Sequence, residues 1–271
     1  HGLGEFYTPD WLAEHVLDQL GYYGDPTARL LDPACGSGTF LLAALRRARR
    51  RGLDAAGARR LCENIVGFDL NPLAALAARV NFLIAVRDLP GVFEKGAPPL
   101  RAPVYLCDSI LSPFGSAQRS GAPFIEAAQL LSPRWTEAGP LFQRAALPPR
   151  LPPFDYIAGN PPWVLWDNLP ADYRAATRPL WQHYGLFTLS GKDARHGGGK
   201  KDLAALMLYA CADAYLRDGG HLGFVITQTL FQTRGAGDGF RRFRLGADGA
   251  YLGVQRVDDL VALQPFPGAS T

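Results

Sequence analysis

Apolar positions along the chain change period several times, and the changes outline alternating helices and strands. After Thr8-Pro9-Asp10, apolar residues fall at Trp11, Leu12, Val16, Leu17 and Leu20, the spacing of one helix face. Pro9 suits the first turn of that helix and Thr8 its N-cap, and the stretch from Gly21 to Thr27 breaks it. The run ARLLDPACGSGTF then predicts a strand, a glycine-rich turn and the start of a helix that continues over 39–51. NIVGFDLNP predicts a second strand, followed by an alanine-rich helix over 72–86. APVYLCDSIL and FDYIAGN predict a third and a fourth strand. Residues 202–217 predict a long apolar helix ending at Asp218-Gly219-Gly220, with HLGFVITQ as a fifth strand and AYLGVQRV as a sixth.

Strands alternating with helices predict a largely parallel sheet covered on both faces. Ligands of such sheets bind outside the carboxyl ends of the strands. Two stretches depart from the alternation. Residues 112–153 are rich in Pro, Ser, Gly and Ala and read as an insertion with one short helix. Residues 164–200 carry Trp166, Trp181 and Tyr184, then the basic, glycine-rich GKDARHGGGKK that runs to Lys201, and read as a long loop segment.

The strand ends hold the candidate chemistry. Asp32-Pro33-Ala34-Cys35-Gly36-Ser37-Gly38 closes the first strand, and its glycines let backbone approach a ligand closely. The dinucleotide fingerprint needs a third glycine where Leu41 stands. A carboxylate at Asp32 would repel a pyrophosphate but attract a cation such as the ammonium of an amino acid, which favours S-adenosylmethionine over a dinucleotide. Asp69 ends the second strand, where a carboxylate suits ribose hydroxyls, and Asp108 ends the third, where it suits the exocyclic amine of adenine. Each acid alone reads equally as a turn or cap residue; three of them ending successive strands make a cofactor site.

The fourth strand ends in Asn160-Pro161-Pro162-Trp163. As a purely structural feature this is a rigid loop capping the sheet. It also suits an aromatic exocyclic amine, whose lone pair is delocalised. The Asn160 side-chain oxygen and the Pro161 carbonyl offer one acceptor to each N–H, and proline adds no competing donor. Trp163 offers a face on which a base stacks. Methyl transfer to such an amine needs no general base, in keeping with the lack of a histidine near the tract.

Composition narrows this picture a little. A chain of 271 residues, 48% of them hydrophobic, is long enough for one large α/β domain. The net charge of +3 permits a polyanionic partner without demanding one. Arg46, Arg47, Arg49, Arg50 and Arg51, with Arg59 and Arg60 nearby, read either as a solvated helix end or as a nucleic-acid contact. Cys35, Cys62, Cys107 and Cys211 form no C-x-x-C pair and read as buried thiols of a reducing compartment, neither disulfides nor a metal site. No signal peptide is visible and no apolar run reaches the about 18 residues of a membrane span, so a cytoplasmic protein is expected. A first residue other than Met suggests a segment of a longer protein.

GEFYTP (4–9), DPACGSGTF (32–40), GFDLNP (67–72), CDSIL (107–111), NPPW (160–163) and LQPFPGAST (263–271) together resemble the N6-adenine DNA methyltransferases with cofactor motifs first and target recognition last. The chain looks most like the methyltransferase part of fused restriction–modification enzymes and related phage-defence methylases. The resemblance implies a class I S-adenosylmethionine-dependent methyltransferase fold: a Rossmann-like α/β domain over 1–271 with a mostly parallel seven-stranded sheet. It implies cofactor contacts at Thr8, Asp32, Ala34, Gly36, Gly38, Asp69, Leu70, Asp108 and Ser109, and catalysis by Asn160, Pro161, Pro162 and Trp163. It further implies a flipped-out DNA adenine stacked by Trp163 and Phe266, with Phe266 alternatively a core residue. Lys200 and Lys201 are candidate phosphate contacts or parts of a surface linker. A target-recognition domain is expected after Thr271, with a nuclease a further candidate partner. Rival readings are a protein-glutamine N5 methyltransferase, a cofactor-binding scaffold without activity, and a nicotinamide dehydrogenase.

Overall fold

The computed structural model describes residues 7–112, 151–187, 201–232 and 236–266. Five strands make one sheet: β1 (Leu30–Asp32), β2 (Ile65–Asp69), β3 (Val104–Leu106), β4 (Phe154–Gly159) and β5 (Leu216–Phe224). Their order is β3-β2-β1-β4-β5 and every neighbouring pair is parallel. Successive strands after β1 first run to one side and then, with β4, begin the other side. The ends of β1 and β4 therefore flank the point where the strand order reverses, which is where an open α/β sheet leaves a crevice.

Helices cover both faces. They are α1 (Asp10–Gln19), α2 (Thr39–Arg51), α3 (Ala55–Asn64), α4 (Pro72–Val86), α5 (Ala171–His183) and α6 (Leu203–Tyr215), with short helices α7 (Thr229–Gln232) and α8 (Ala236–Phe240). Adjacent residues of β1 point to opposite cores. Leu30 packs with α1, α2 and α4 residues such as Leu12, Leu41 and Phe82, while Leu31 packs with α5 and α6 residues such as Trp181 and Leu206. A central strand buried on both faces needs apolar side chains in sequence, not alternation.

Local chemistry sets the helix starts. Asn71 accepts from Leu73 N at 3.0 Å and Pro72 occupies the first turn of α4. Asp54 caps α3, a helix the sequence pattern had not signalled, by accepting from Gly57 N at 2.7 Å. Leu41, at the position of the missing third glycine, is fully buried, and the room it needs comes from β2. A Cβ on Gly67 would stand 2.9 Å from the Leu41 Cδ1. The close helix–sheet approach is preserved with the small residue on the other partner.

Several expectations are corrected. The N-cap of α1 is Pro9 rather than Thr8, one residue later than expected. The long helix stops at Tyr215, and β5 already begins at Leu216, turning through Gly219 at φ +70° with a register irregularity opposite Phe154 and Tyr156. Residues 250–257 form no strand; Tyr251 makes one antiparallel bridge to Arg244, and Val254 and Val257 lie exposed with no sheet face to join. Five strands, rather than seven, occur among the described residues. The 164–200 segment contains the whole of α5. Most of the expected insertion, 113–150, lies outside the described residues.

The arginine cluster ties helices together. Arg47 is buried and donates to Glu14 Oε2 at 2.8 Å, Asp18 Oδ1 at 2.6 Å and the Tyr22 carbonyl at 3.1 Å. Arg46 and Arg50 also face Glu14, and Arg59 donates to the carbonyls of Gly91, Val92 and Pro98. The Arg46, Arg47 and Arg50 contacts clamp α2 to α1, those of Arg59 tie α3 to the 91–98 loop, and Arg49, Arg50, Arg51 and Arg60 remain exposed. The four cysteines are free thiols. Among the described residues no helix is long and apolar enough to cross a membrane, and no cluster of metal-ligating side chains occurs.

Candidate active site

The glycine turn after β1 is held open by a carboxylate from the neighbouring strand end. Asp69 accepts from Gly36 N at 2.8 Å and from Asn71 N at 2.7 Å, so it braces the loop and also starts the chain toward α4. Gly36 and Gly38 have φ of +54° and +98°, a region glycine occupies without steric penalty. A Cβ at Gly36 would meet nothing, because that position faces open space.

That space is a cleft at the reversal point of the sheet. Thr8, Asp32, Ala34, Gly36 and Asn160 line it, five residues that sequence reasoning had nominated. Tyr7, Cys35, Ser37, Thr39 and Phe40 line it too and had not been nominated. The signal was present for all of them, since each sits inside a quoted motif. Tyr7 is 82% exposed, an aromatic ring that the fold itself does not need to bury.

Asp32 dominates the electrostatics. It is 1% exposed, and its Oδ1 accepts from Ala34 N at 3.1 Å. Burial pushes its carboxyl well above the ordinary carboxylate range; the Ala34 N–H opposes the rise and the nearby Asp69 charge adds to it. A buried carboxylate in this condition gains from a cation. Gly159, the last residue of β4, presses against it: a Cβ there would stand 2.8 Å from Oδ1. Strand β4 thus reserves the space in which Asp32 sits.

Asp108 lies at the far side of β2. Its Oδ1 accepts from Ile110 N at 2.8 Å and Leu111 N at 2.9 Å. Its Oδ2 is buried and meets no partner at hydrogen-bond distance and angle among the described residues, although the Tyr173 hydroxyl is near enough to lower the carboxyl. Burial is the larger influence and raises it. Ser109 is buried beside it, with its carbonyl accepting from Tyr215 Oη at 3.2 Å, whereas Leu70 is exposed.

The tract after β4 leaves the sheet beside the cleft. Pro161 is buried, and Asn160, Pro162 and Trp163 are half-buried. Trp163 Nε1 donates to the Val225 carbonyl at 3.3 Å, and Val225 N donates to the Gly159 carbonyl at 3.0 Å. The chain past β5 therefore grips both ends of the tract, a partner that sequence reasoning missed. Phe266 is 7% exposed and meets Trp163 edge to face, ring centroids 4.8 Å apart at 85°. The two rings touch each other, so no base-sized gap separates them. Lys201 holds its ammonium 5.5 Å above the Phe187 ring, while Lys200 lies outside the described residues.

Residues 63–247 match the family model of the Eco57I restriction-modification methylases, and residues 1–93 match that of the N-6 DNA Methylases. The chain belongs to the Eco57I restriction-modification methylase family. This member of the Eco57I methylases is 30% identical over 179 residues, 58% of the chain, to the adenine-specific methyltransferase PglX of Streptomyces coelicolor. Over 81 residues, 30% of the chain, it is 36% identical to the type I restriction enzyme MjaIX methylase subunit of Methanocaldococcus jannaschii. The matched stretches are 14% and 13% of those two proteins, so the chain spans a small part of each. Among solved structures, the DrdV–DNA complex superposes with a TM-score of 0.56 at 20% identity, over 88% of this chain and 22% of that one. A nuclease-deletion mutant of the type ISP restriction-modification enzyme LlaGI, in complex with a DNA substrate mimic, gives 0.56 at 17% identity over the same 88% and 22%. This member of the family has the class I S-adenosylmethionine-dependent methyltransferase fold, with a parallel sheet flanked by helices.

Proposed function

We propose that the chain is the catalytic domain of an adenine-specific DNA methyltransferase of a restriction–modification or phage-defence system. The donor is S-adenosylmethionine and the acceptor is N6 of an adenine flipped out of the duplex. The observation that carries this reading is that Asp32 and Asn160, from the ends of two adjacent strands, line one cleft. A cation-seeking carboxylate and an amide acceptor then face the same small volume.

The residues present fit the donor. Gly36 leaves room, Asp32 is a buried carboxyl at the cleft, and Asp108 holds a second buried oxygen that meets no partner at hydrogen-bond distance and angle among the described residues, with the Tyr173 hydroxyl nearby. In this proposal Thr8 and Asp32 hold the amino-acid end, Ala34, Gly36 and Gly38 line its path, Asp69 and Leu70 take the ribose, and Asp108 and Ser109 take the adenine. When bound, S-adenosylmethionine supplies an electrophilic methyl group on a sulfonium.

The chain's own residues prepare the acceptor. The Asn160 oxygen and the Pro161 carbonyl each accept one N–H of the amine, which draws its lone pair out of the ring. Pro161 and Pro162 fix the direction of the carbonyl, so positioning is built in before the target arrives. A base cannot react inside the stack, and an extruded one needs a face to rest on. Trp163 supplies that face, after Phe266 gives way or turns to the opposite side. Lys201 follows the tract closely, since its carbonyl accepts from Trp166 N at 2.7 Å, and it suits a phosphate beside the extruded nucleotide; Lys200 shares that assignment. Because the curated relatives are far longer, sequence selection belongs in this proposal to a separate target-recognition domain, with a nuclease as a further partner.

The test uses the full-length protein and cofactor labelled with tritium on the methyl group. Label should enter DNA, at N6 of adenine, and Asn160→Ala should abolish its transfer while leaving cofactor affinity within a few fold. Label in protein glutamine instead would assign the site to the glutamine N5 methyltransferases. Cofactor binding with no transfer to either would make the chain a scaffold.

A further inference from the structure

Among the described residues, one buried acid has no place in the proposed cofactor site. Asp202 is 4% exposed and starts α6. Its Oδ1 accepts from Ala204 N at 3.0 Å, an ordinary helix cap. A cap occupies one oxygen. The other, Oδ2, accepts from Thr227 Oγ1 at 2.9 Å, and that hydroxyl lies 2.9 Å from Thr229 Oγ1.

These bonds converge on the loop that carries Asn160 and Trp163. Asp202 forms an antiparallel bridge with Leu165, flanked by Trp166 N to the Lys201 carbonyl at 2.7 Å and Leu203 N to the Val164 carbonyl at 2.8 Å. The segment leaving the tract is thus stitched to the residues around Asp202. Thr227 comes two residues after Val225, whose carbonyl takes the Trp163 indole and whose N–H holds the Gly159 carbonyl. One residue therefore links three segments: its backbone pairs with the exit of the tract, and its carboxylate joins the start of α6 to the chain past β5. Burial raises the Asp202 carboxyl, against the Ala204 and Thr227 bonds, so keeping an acid here is costly for a cap that a serine could provide.

We infer that Asp202, acting through Thr227, is a positioning residue that fixes Trp163 and Asn160 relative to the cleft. The inference rests on the methyl-transfer reading for its effect on turnover, while the anchoring itself is measurable without it.

The experiment compares wild-type full-length protein with Thr227→Val, Asp202→Ala and Asp202→Asn. The valine keeps the shape of threonine and removes the hydroxyl. Thr227→Val should speed hydrogen exchange at the Trp166 amide and lower kcat, each by about tenfold, the scale of one lost hydrogen bond. Cofactor affinity should stay within a few fold. Asp202→Asn retains an oxygen for the cap and an amide partner for Thr227, so it should restore turnover that Asp202→Ala loses. Unchanged exchange at Trp166 in Thr227→Val overturns the inference, as does an Asp202→Asn protein no better than Asp202→Ala. If the wild type itself transfers no methyl to DNA, the proposed function fails, and the exchange comparison still decides whether Asp202 anchors the loop.

Discussion

Replacing Gly159 with alanine tests whether β4 reserves the Asp32 site. The new Cβ would stand 2.8 Å from Oδ1, 3.6 Å from Cγ of Asp32 and 3.5 Å from Pro33 Cδ. Only the first distance is impossible as it stands, so the carboxylate must retreat by about half an ångström to reach van der Waals separation. Asp32 is 1% exposed and has no solvent to retreat into. Its bond from Ala34 N, already 3.1 Å, is the first to break. One added methyl in a packed interior costs about 1–3 kcal/mol, and a carboxylate turned from the cleft loses its hold on a cation. Cofactor affinity should therefore fall at least about tenfold, or about 1.4 kcal/mol. Isothermal titration with S-adenosylmethionine, beside a thermal melt, reads both quantities. A double-mutant cycle isolates the cause. With Asp32→Ala in place, the added Cβ faces only Pro33 at an ordinary distance, and Gly159→Ala should be nearly neutral. A Gly159→Ala protein that binds within twofold of wild type would refute the reasoning, and so would an equal penalty in both backgrounds.

Two further outcomes are expected. Asp69→Ala removes the acceptor for the Gly36 and Asn71 amides, so it should cost about 1–3 kcal/mol in cofactor affinity and lower the melting temperature as well; an unchanged melt would confine Asp69 to ligand contact. Asp32 should make cofactor binding pH-dependent. Its native carboxyl is raised, chiefly by burial, so its contribution to stability is complete below the unfolded-state pKa and is lost as pH rises through the native one. A bound ammonium favours the ionised form, so affinity should weaken as pH falls through that native value and binding should release protons there. Titrations in buffers of different ionisation enthalpy read the release, and its persistence in Asp32→Asn would assign it elsewhere.

The ends of β1, β2 and β4 were legible because those strands are largely buried and each closes on or just before residues that stop strands. Asp32-Pro33, Asp69 to Pro72 and Asn160-Pro161 all announce themselves in one dimension. Helix α5 did not, although its buried residues Tyr173, Thr177 and Trp181 recur every four positions. Pro170 and Pro179 argue for a loop, and Thr177 reads as polar until its hydroxyl is seen donating to the Tyr173 carbonyl at 2.8 Å. The arginine cluster was ambiguous for a different reason: its partners Glu14 and Asp18 lie in a separate helix, and only the α1–α2 contact reveals them. Gly159 and Asp202 show the same limit more sharply. In sequence, the first is a weak strand residue and the second a helix cap. Their importance comes from adjacency, of β4 to β1 and of Asp202 to Thr227, which no local pattern encodes. The groups proposed to touch cofactor and base sit at strand ends and so can be read one at a time, while the groups that hold them in place act across strands. Substitutions at the latter should accordingly separate binding from turnover in ways that the motifs alone would not anticipate.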